Sequence, residues 1–275
     1  MATVEQAEDA SRLRVNGVAL YYDEHGAGQP IVCIHGTGSS AVMWADAVPE
    51  LATHGRTIVY DRRGSFRSER PRPYLTNVHQ HTDDAAALID ALDAAPAIVI
   101  GRSYGGEIAI DLALRYPACV RALALLEGGG FSLSEAAMRW MAEIGERVFA
   151  AAEVDMSTVA ETLLRKVLGD AGWEGLPEPA KQMFTANGPA IVAEERGGPL
   201  DVGADQLGTI VQPTLLVAAE DSPPAFAEVT HLVAAAMPSA MVEWVEGGHL
   251  INPAHPAVLA FIDEVLALKE EPSLG

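Results

Sequence analysis

Residues 96–117 read PAIVIGRSYGGEIAIDLALRYP. A short β-branched apolar run at 97–100 leads into Gly101-Arg102-Ser103-Tyr104-Gly105-Gly106, and Ile108, Ala109, Leu112 and Ala113 then recur at helical spacing. The pattern predicts a strand, a tight glycine turn and a helix with a serine at the apex, the context in which G-x-S-x-G carries meaning. Glycines two before and two after the serine permit a turn sharp enough to hold Ser103 in a strained backbone region, its Oγ projecting. A serine hydroxyl is a poor nucleophile alone, so this stretch requires a base and an orienting acid elsewhere in the chain.

Outward from this turn the chain alternates strands and helices. Residues 13–15 and 19–22 flank Asn16-Gly17, a hairpin signal. Residues 31–34 form a buried apolar run ending in His35-Gly36-Thr37-Gly38-Ser39-Ser40, and Trp44, Val48 and Leu51 follow at helical spacing. Residues 57–60 predict a strand before the charged loop 61–68, residues 77–92 a helix, and VRALALL at 120–126 the strand after the Ser103 helix. This cadence predicts an α/β protein with a mostly parallel, doubly wound sheet of about eight strands, the hairpin adding antiparallel strands at one edge. Beyond Glu127-Gly128-Gly129-Gly130 it breaks: residues 131–205 show helical stretches at 134–151, 157–168 and 178–185, interrupted by Pro and Gly, and read as an inserted helical lid. Strand signals resume at 213–218 and 241–245, a helix over 224–237 between them, and a closing helix starts at Pro253. The core is thus expected over 12–130 and 206–270, with the lid over 131–205.

The 275 residues are 49% hydrophobic, enough for a large core, and 18 basic against 38 acidic residues leave a net charge of −20. That balance argues against nucleic acid or an anionic membrane as partner. No apolar run reaches the length of a membrane span, and MATVEQAEDASR at the N-terminus lacks the features of a secretory signal, so a cytoplasmic location is expected. Cys33 and Cys119, the two cysteines, are read as reduced core residues.

With CIHGTGSS, YDRRGSFRS, IGRSYGGEIAI and EGGHLINPAHP in that order, the chain resembles the α/β-hydrolase superfamily over nearly all of its length outside the lid and tails. The resemblance implies a nucleophile–acid–histidine order. Ser103 is then the nucleophile, and His249, in a glycine-flanked loop after the last strand, the base, in preference to His255 in the closing helix pattern. For the acid two positions stand open. The common family pattern laid on residues 219–222 puts Ala219 at its glycine and Ser222, not Asp221, at its acid; a minority of members carry a glutamate where Glu127 ends the strand after the nucleophile helix. Glu127 is favoured over Asp221, because a carboxylate at the mouth of an apolar strand needs a partner. By resemblance the oxyanion donors are the backbone N–H groups of Thr37 and Tyr104, and residues 61–68 brace the sheet without a catalytic role.

Gly36 lets the oxyanion loop approach closely, and Arg102 beside the serine either senses substrate or pairs with an acid. Trp44, Phe131, Met138 and Trp140 suggest an apolar pocket, and hence a hydrophobic small-molecule ester or lactone as substrate; placing the acid at Glu127 also resembles some lactone hydrolases. Carbon–carbon bond hydrolysis on the same residues is the alternative, and a non-catalytic small-molecule-binding protein the reading from another class. No metal or organic cofactor is called for, and a homodimer is left open.

Overall fold

The strand predicted at the centre of the opening stretch runs two residues further than its apolar run, over Ala97–Arg102. The computed structural model describes residues 12–268. Eight strands form one sheet in the order β1-β2-β4-β3-β5-β6-β7-β8: β1 (Arg12–Val15), β2 (Val18–His25), β3 (Pro30–Ile34), β4 (Arg56–Tyr60), β5 (Ala97–Arg102), β6 (Val120–Leu126), β7 (Thr214–Ala219) and β8 (Ala240–Val245). The hairpin at Asn16-Gly17 makes β1 and β2 antiparallel, β2 pairs antiparallel with β4, and every later pairing is parallel. The doubly wound α/β architecture read from the strand and helix cadence is therefore present.

The helices α1 (Val48–His54), α2 (Val78–Ala91) and α3 (Tyr104–Arg115) fall within the first half of the sheet. The Asn77 side chain caps α2 by accepting from Gln80 N at 2.9 Å, so this helix starts one residue later than its pattern suggested. Between β6 and β7 lie α4 (Glu135–Val154), α5 (Val159–Gly175), α6 (Glu178–Ala186), α7 (Gly188–Gly197) and the short α8 (Ala204–Leu207). They build an apolar cluster of their own, including Ile144, Val148, Leu163, Leu164, Phe184 and Ile191. Two further clusters fill the two faces of the sheet, one packed under α2, α3 and α9 (Pro224–Ala236) and the other under α1 and α10 (Pro256–Ala267).

Three differences from the sequence expectation bear on the site. Gly188, Pro189 and Gly197, which by sequence interrupt the helical stretches, instead bound α7: proline in a first helical turn forfeits an N–H with no intrahelical partner, so it starts a helix there rather than breaking one. The closing helix begins at Pro256, three residues later than expected, with the His255 ring accepting from Ala257 N at 3.2 Å as its cap. His81, which its place near the predicted start of the 77–92 helix suggests as a surface residue, is buried in α2 and hydrogen-bonds Thr76 at 2.9 Å.

Candidate functional site

The site is assembled where β5, β6 and β7 end. Ser103 sits between β5 and α3 with φ 53° and ψ −125°, an unfavourable backbone for any residue with a side chain. Its amide donates to Leu126 O at 3.0 Å, and its carbonyl accepts from Gly106 N at 2.7 Å. Glycine is needed in the turn because a Cβ at Gly105 would come to 2.1 Å from Ile34 O, and one at Gly106 to 2.5 Å from the Gly128 Cα. The elbow is thereby wedged against the ends of β3 and β6.

Glu127 follows β6 directly and also holds a positive φ, 47°. Its amide donates to Val217 O at 2.9 Å, drawing the residue over the end of β7. There the carboxylate meets three donors: Ala219 N at 2.9 Å on Oε1, and Ser222 Oγ and His249 Nδ1, both at 2.7 Å on Oε2. Glu127 and His249 are buried, 3% and 6% exposed, so this pair is screened little by water. Asp221 is exposed; its backbone amide, not its carboxylate, is tied in, donating to Gly247 O at 2.9 Å. Ser222, the residue that falls at the family's usual acid position, is thus a donor to the glutamate.

Ser103 and His249 line one narrow chamber of about 70 Å³ together with Gly36, Thr37, Leu163 and Phe184. A second chamber of about 320 Å³ adjoins it through Thr37, Met141 and Glu195, and is walled by Tyr104, Met138, Phe149 and Glu146 among others. The amides of Thr37 and Tyr104 donate to no other group among the described residues, which leaves both available at the end of the elbow.

The loop carrying Thr37 is held from behind. His35 is buried; its Nε2 accepts from Arg62 N at 3.0 Å, so Nδ1 carries the proton given to Gly36 O at 2.9 Å. Burial first, then the Arg62 charge, keep the His35 ring pKa well below its ordinary value and the ring neutral. Arg62 donates to His35 O and Gly36 O at 3.0 and 2.9 Å and forms an ion pair with Glu194 of α7 at 2.9 Å, both side chains 1% exposed. Glu194 in turn accepts from Gly38 N at 3.3 Å. Arg62, within residues 61–68, therefore braces the loop that carries Thr37.

Of the pocket residues expected from sequence, Gly36, Arg102 and Met138 line the chambers. Trp44 does not: it is fully buried in the core behind the sheet, with the Arg102 guanidinium 4.9 Å from its ring centroid. Phe131 and Trp140 are also displaced from the reacting end. They pack around Phe226 of α9, at 5.6 and 5.5 Å between ring centroids, and Phe226 stacks on the His249 ring at 4.3 Å. These aromatics set the back wall of the histidine because the chain turns into the helical segment directly behind it. Among the described residues Arg102 pairs with no acid; buried, it donates through Nη2 to Ile251 O in the His249 loop, and burial lowers its pKa to about 10.

Phe226, Glu194 and Glu195 escaped the sequence reading. The two glutamates lie in the helix hidden by its own glycine and proline boundaries, and an acidic pair directly after the apolar Ile191-Val192-Ala193 was the available signal. Both cysteines are free, and burial pushes the Cys33 thiol up to about 12. Among the described residues no group of three or more His, Cys, Asp or Glu side chains is placed to hold a metal ion, and no helix is long and apolar enough to cross a membrane.

The model of the α/β-hydrolase fold family matches residues 29–256. The chain belongs to this family and is an enzyme of the α/β-hydrolase type. It is 30% identical over 259 residues to a pimeloyl-[acyl-carrier protein] methyl ester esterase of Nitrosospira multiformis, covering 91% of this chain and 96% of that one. It is 39% identical over 119 residues, 42% of each chain, to a 2-hydroxymuconate semialdehyde hydrolase of Pseudomonas sp. strain CF600. Among solved structures it resembles Est816, described as an N-acyl homoserine lactone degrading enzyme, with TM-score 0.72 and 25% identity over 94% of this chain and all of that one.

Proposed function

We propose that the protein is a serine hydrolase that cleaves a carboxylic ester or lactone bond of a hydrophobic small molecule through an acyl-enzyme. The observation that carries the reading is the 2.7 Å contact between Glu127 Oε2 and His249 Nδ1, made by a buried pair whose histidine lines the chamber that Ser103 also lines. With Nδ1–H held by the carboxylate, Nε2 is the free lone pair, able to take the Ser103 proton as Oγ attacks the acyl carbon. The negative charge that develops on the carbonyl oxygen is met by the N–H groups of Thr37 and Tyr104. The imidazolium, stabilised by Glu127, gives its proton to the departing alcohol; water then enters, loses a proton to His249 and releases the acid. In a lactone both fragments stay in one molecule, and the same steps apply.

The mostly apolar wall of Met138, Met141, Leu163 and Phe149 suits a hydrophobic acyl or alcohol chain. Carbon–carbon bond hydrolysis is the second reading, favoured by the 39% identity to the muconate semialdehyde hydrolase. A muconate is by its name a carboxylate, and the outer chamber presents Glu146 and Glu195 to it, which supports the ester reading over this one. The test is labelling with a serine-directed fluorophosphonate together with turnover of p-nitrophenyl butyrate. Wild-type protein should label and turn over, and Ser103→Ala should do neither. An unlabelled wild type would sink the proposal, and turnover of a vinylogous diketone with none on esters would favour the carbon–carbon reading.

A further inference from the structure

Glu195 of α7 stands where the two chambers meet and lines both. Its Oε2 faces Gly145 of α4, where a Cβ would lie 3.4 Å away in ordinary contact. The adjacent Glu194 is spent on Arg62 and Gly38 N. Glu195 is not: among the described residues no ion pair or hydrogen bond holds its carboxylate. Burial, then the charge of Glu194, raise its pKa to about 7. A half-buried carboxylate without a partner is disfavoured in its charged form, and Glu195 stands beside the apolar Met141, Leu163 and Leu164 of the inner chamber. Such a group gains its partner when a ligand brings one.

We propose that Glu195 is a specificity-determining residue that receives a hydrogen-bond donor, a hydroxyl or an amide N–H, carried by the substrate at a distance from the bond held over Ser103. This rests on the reading of Ser103 and His249 as an acyl-transfer site. The apolar part of the substrate lies along Met141, Leu163 and Leu164 in the inner chamber, and the donor meets Glu195 where the space widens. A chain ending in a carboxylate is turned away. Glu146 shares the outer wall, and the one guanidinium lining either chamber among the described residues, Arg102, gives its Nη2 to Ile251 O.

The test separates binding from turnover. In Ser103→Ala protein, calorimetry compares methyl hexanoate, methyl 6-hydroxyhexanoate and monomethyl adipate. At pH 8.5, above the raised Glu195 pKa of about 7, the hydroxyl ester should bind about tenfold or more tightly than its methyl-terminated counterpart, as expected for a hydrogen bond to a charged acceptor. The adipate monoester should bind most weakly. In Ser103→Ala/Glu195→Leu the hydroxyl preference should vanish. In Ser103→Ala/Glu195→Gln, which keeps an acceptor and the shape, part of it should survive while discrimination against the adipate falls. Equal binding of the hydroxyl and methyl esters, or a preference unchanged by Glu195→Leu, overturns the proposal. Loss of ester turnover in the wild type with the binding preference intact would overturn the acyl-transfer reading alone.

Discussion

Replacing Glu127 with glutamine changes one atom and little volume, so its effect isolates the charge. The pocket around this residue contains three donors, Ala219 N, Ser222 Oγ and His249 Nδ1, all pointing at two carboxylate oxygens. A glutamine offers one carbonyl oxygen, and its NH₂ must face a donor. The conflict is relieved if His249 moves its proton to Nε2 and accepts from the amide at Nδ1. That tautomer aims a proton, not a lone pair, at Ser103. The expected loss is about 10⁴-fold in kcat, equivalent to about 5.5 kcal/mol of barrier, with KM little changed. The assay is p-nitrophenyl butyrate turnover, alongside a thermal melt to show that the variant is folded. A matched Asp221→Asn variant should stay within a few fold of wild type. If Glu127→Gln keeps its rate while Asp221→Asn loses it by orders of magnitude, the reasoning from the buried pair is refuted. A rescue follows from the same geometry. Since Ser222 Oγ already lies 2.7 Å from the oxygen that touches His249, Glu127→Ala/Ser222→Asp should recover at least tenfold over Glu127→Ala.

Arg102→Met should remove the donor to Ile251 O and the charge over Trp44, loosening the loop that carries His249. Loss of a buried, charge-assisted bond of about 1.5–3 kcal/mol should lower the melting temperature, and kcat should fall more than KM rises; a fall in stability with kcat unchanged would contradict the anchoring role. Glu107 in α3, buried and accepting from Leu200 N at 3.0 Å, has its pKa raised to about 8, first by burial. The folded state therefore binds this proton more tightly than the unfolded chain. The stability it contributes is full below the ordinary carboxyl pKa and is lost as pH rises toward 8, by up to about 1.4 kcal/mol per pH unit. Denaturant unfolding of Glu107→Gln should show a flatter decline from pH 5 to 8 than the wild type; equal slopes would refute this.

What could be read from sequence was what depends on local geometry. G-x-S-x-G between an apolar strand and a helix has few structural meanings, and β6 was legible to its last residue because VRALALL ends at a glutamate and glycines. Glu127 was visible as an odd residue in an odd place. Its three donors were not, since they converge from 92 to 122 residues away. Trp44 and Phe131 show the reverse failure. An aromatic next to a functional loop is as well suited to the core beneath it as to the cavity above, and periodicity does not say which side it takes. α7 was missed because glycine and proline mark helix ends and helix breaks with the same letters.

The Arg62–Glu194 pair also constrains how this enzyme can be rebuilt. The guanidinium that fixes His35 and Gly36 is neutralised from α7, a helix belonging to the segment between β6 and β7. Here a chimera that imports that segment from a relative without an acidic residue at the Glu194 position strands a buried cation beneath the loop that carries Thr37. Removing one member of a buried pair costs about 3–5 kcal/mol. Recombination in this protein should therefore treat Arg62 and Glu194 as one inherited unit, with crossover points chosen so that both come from the same parent.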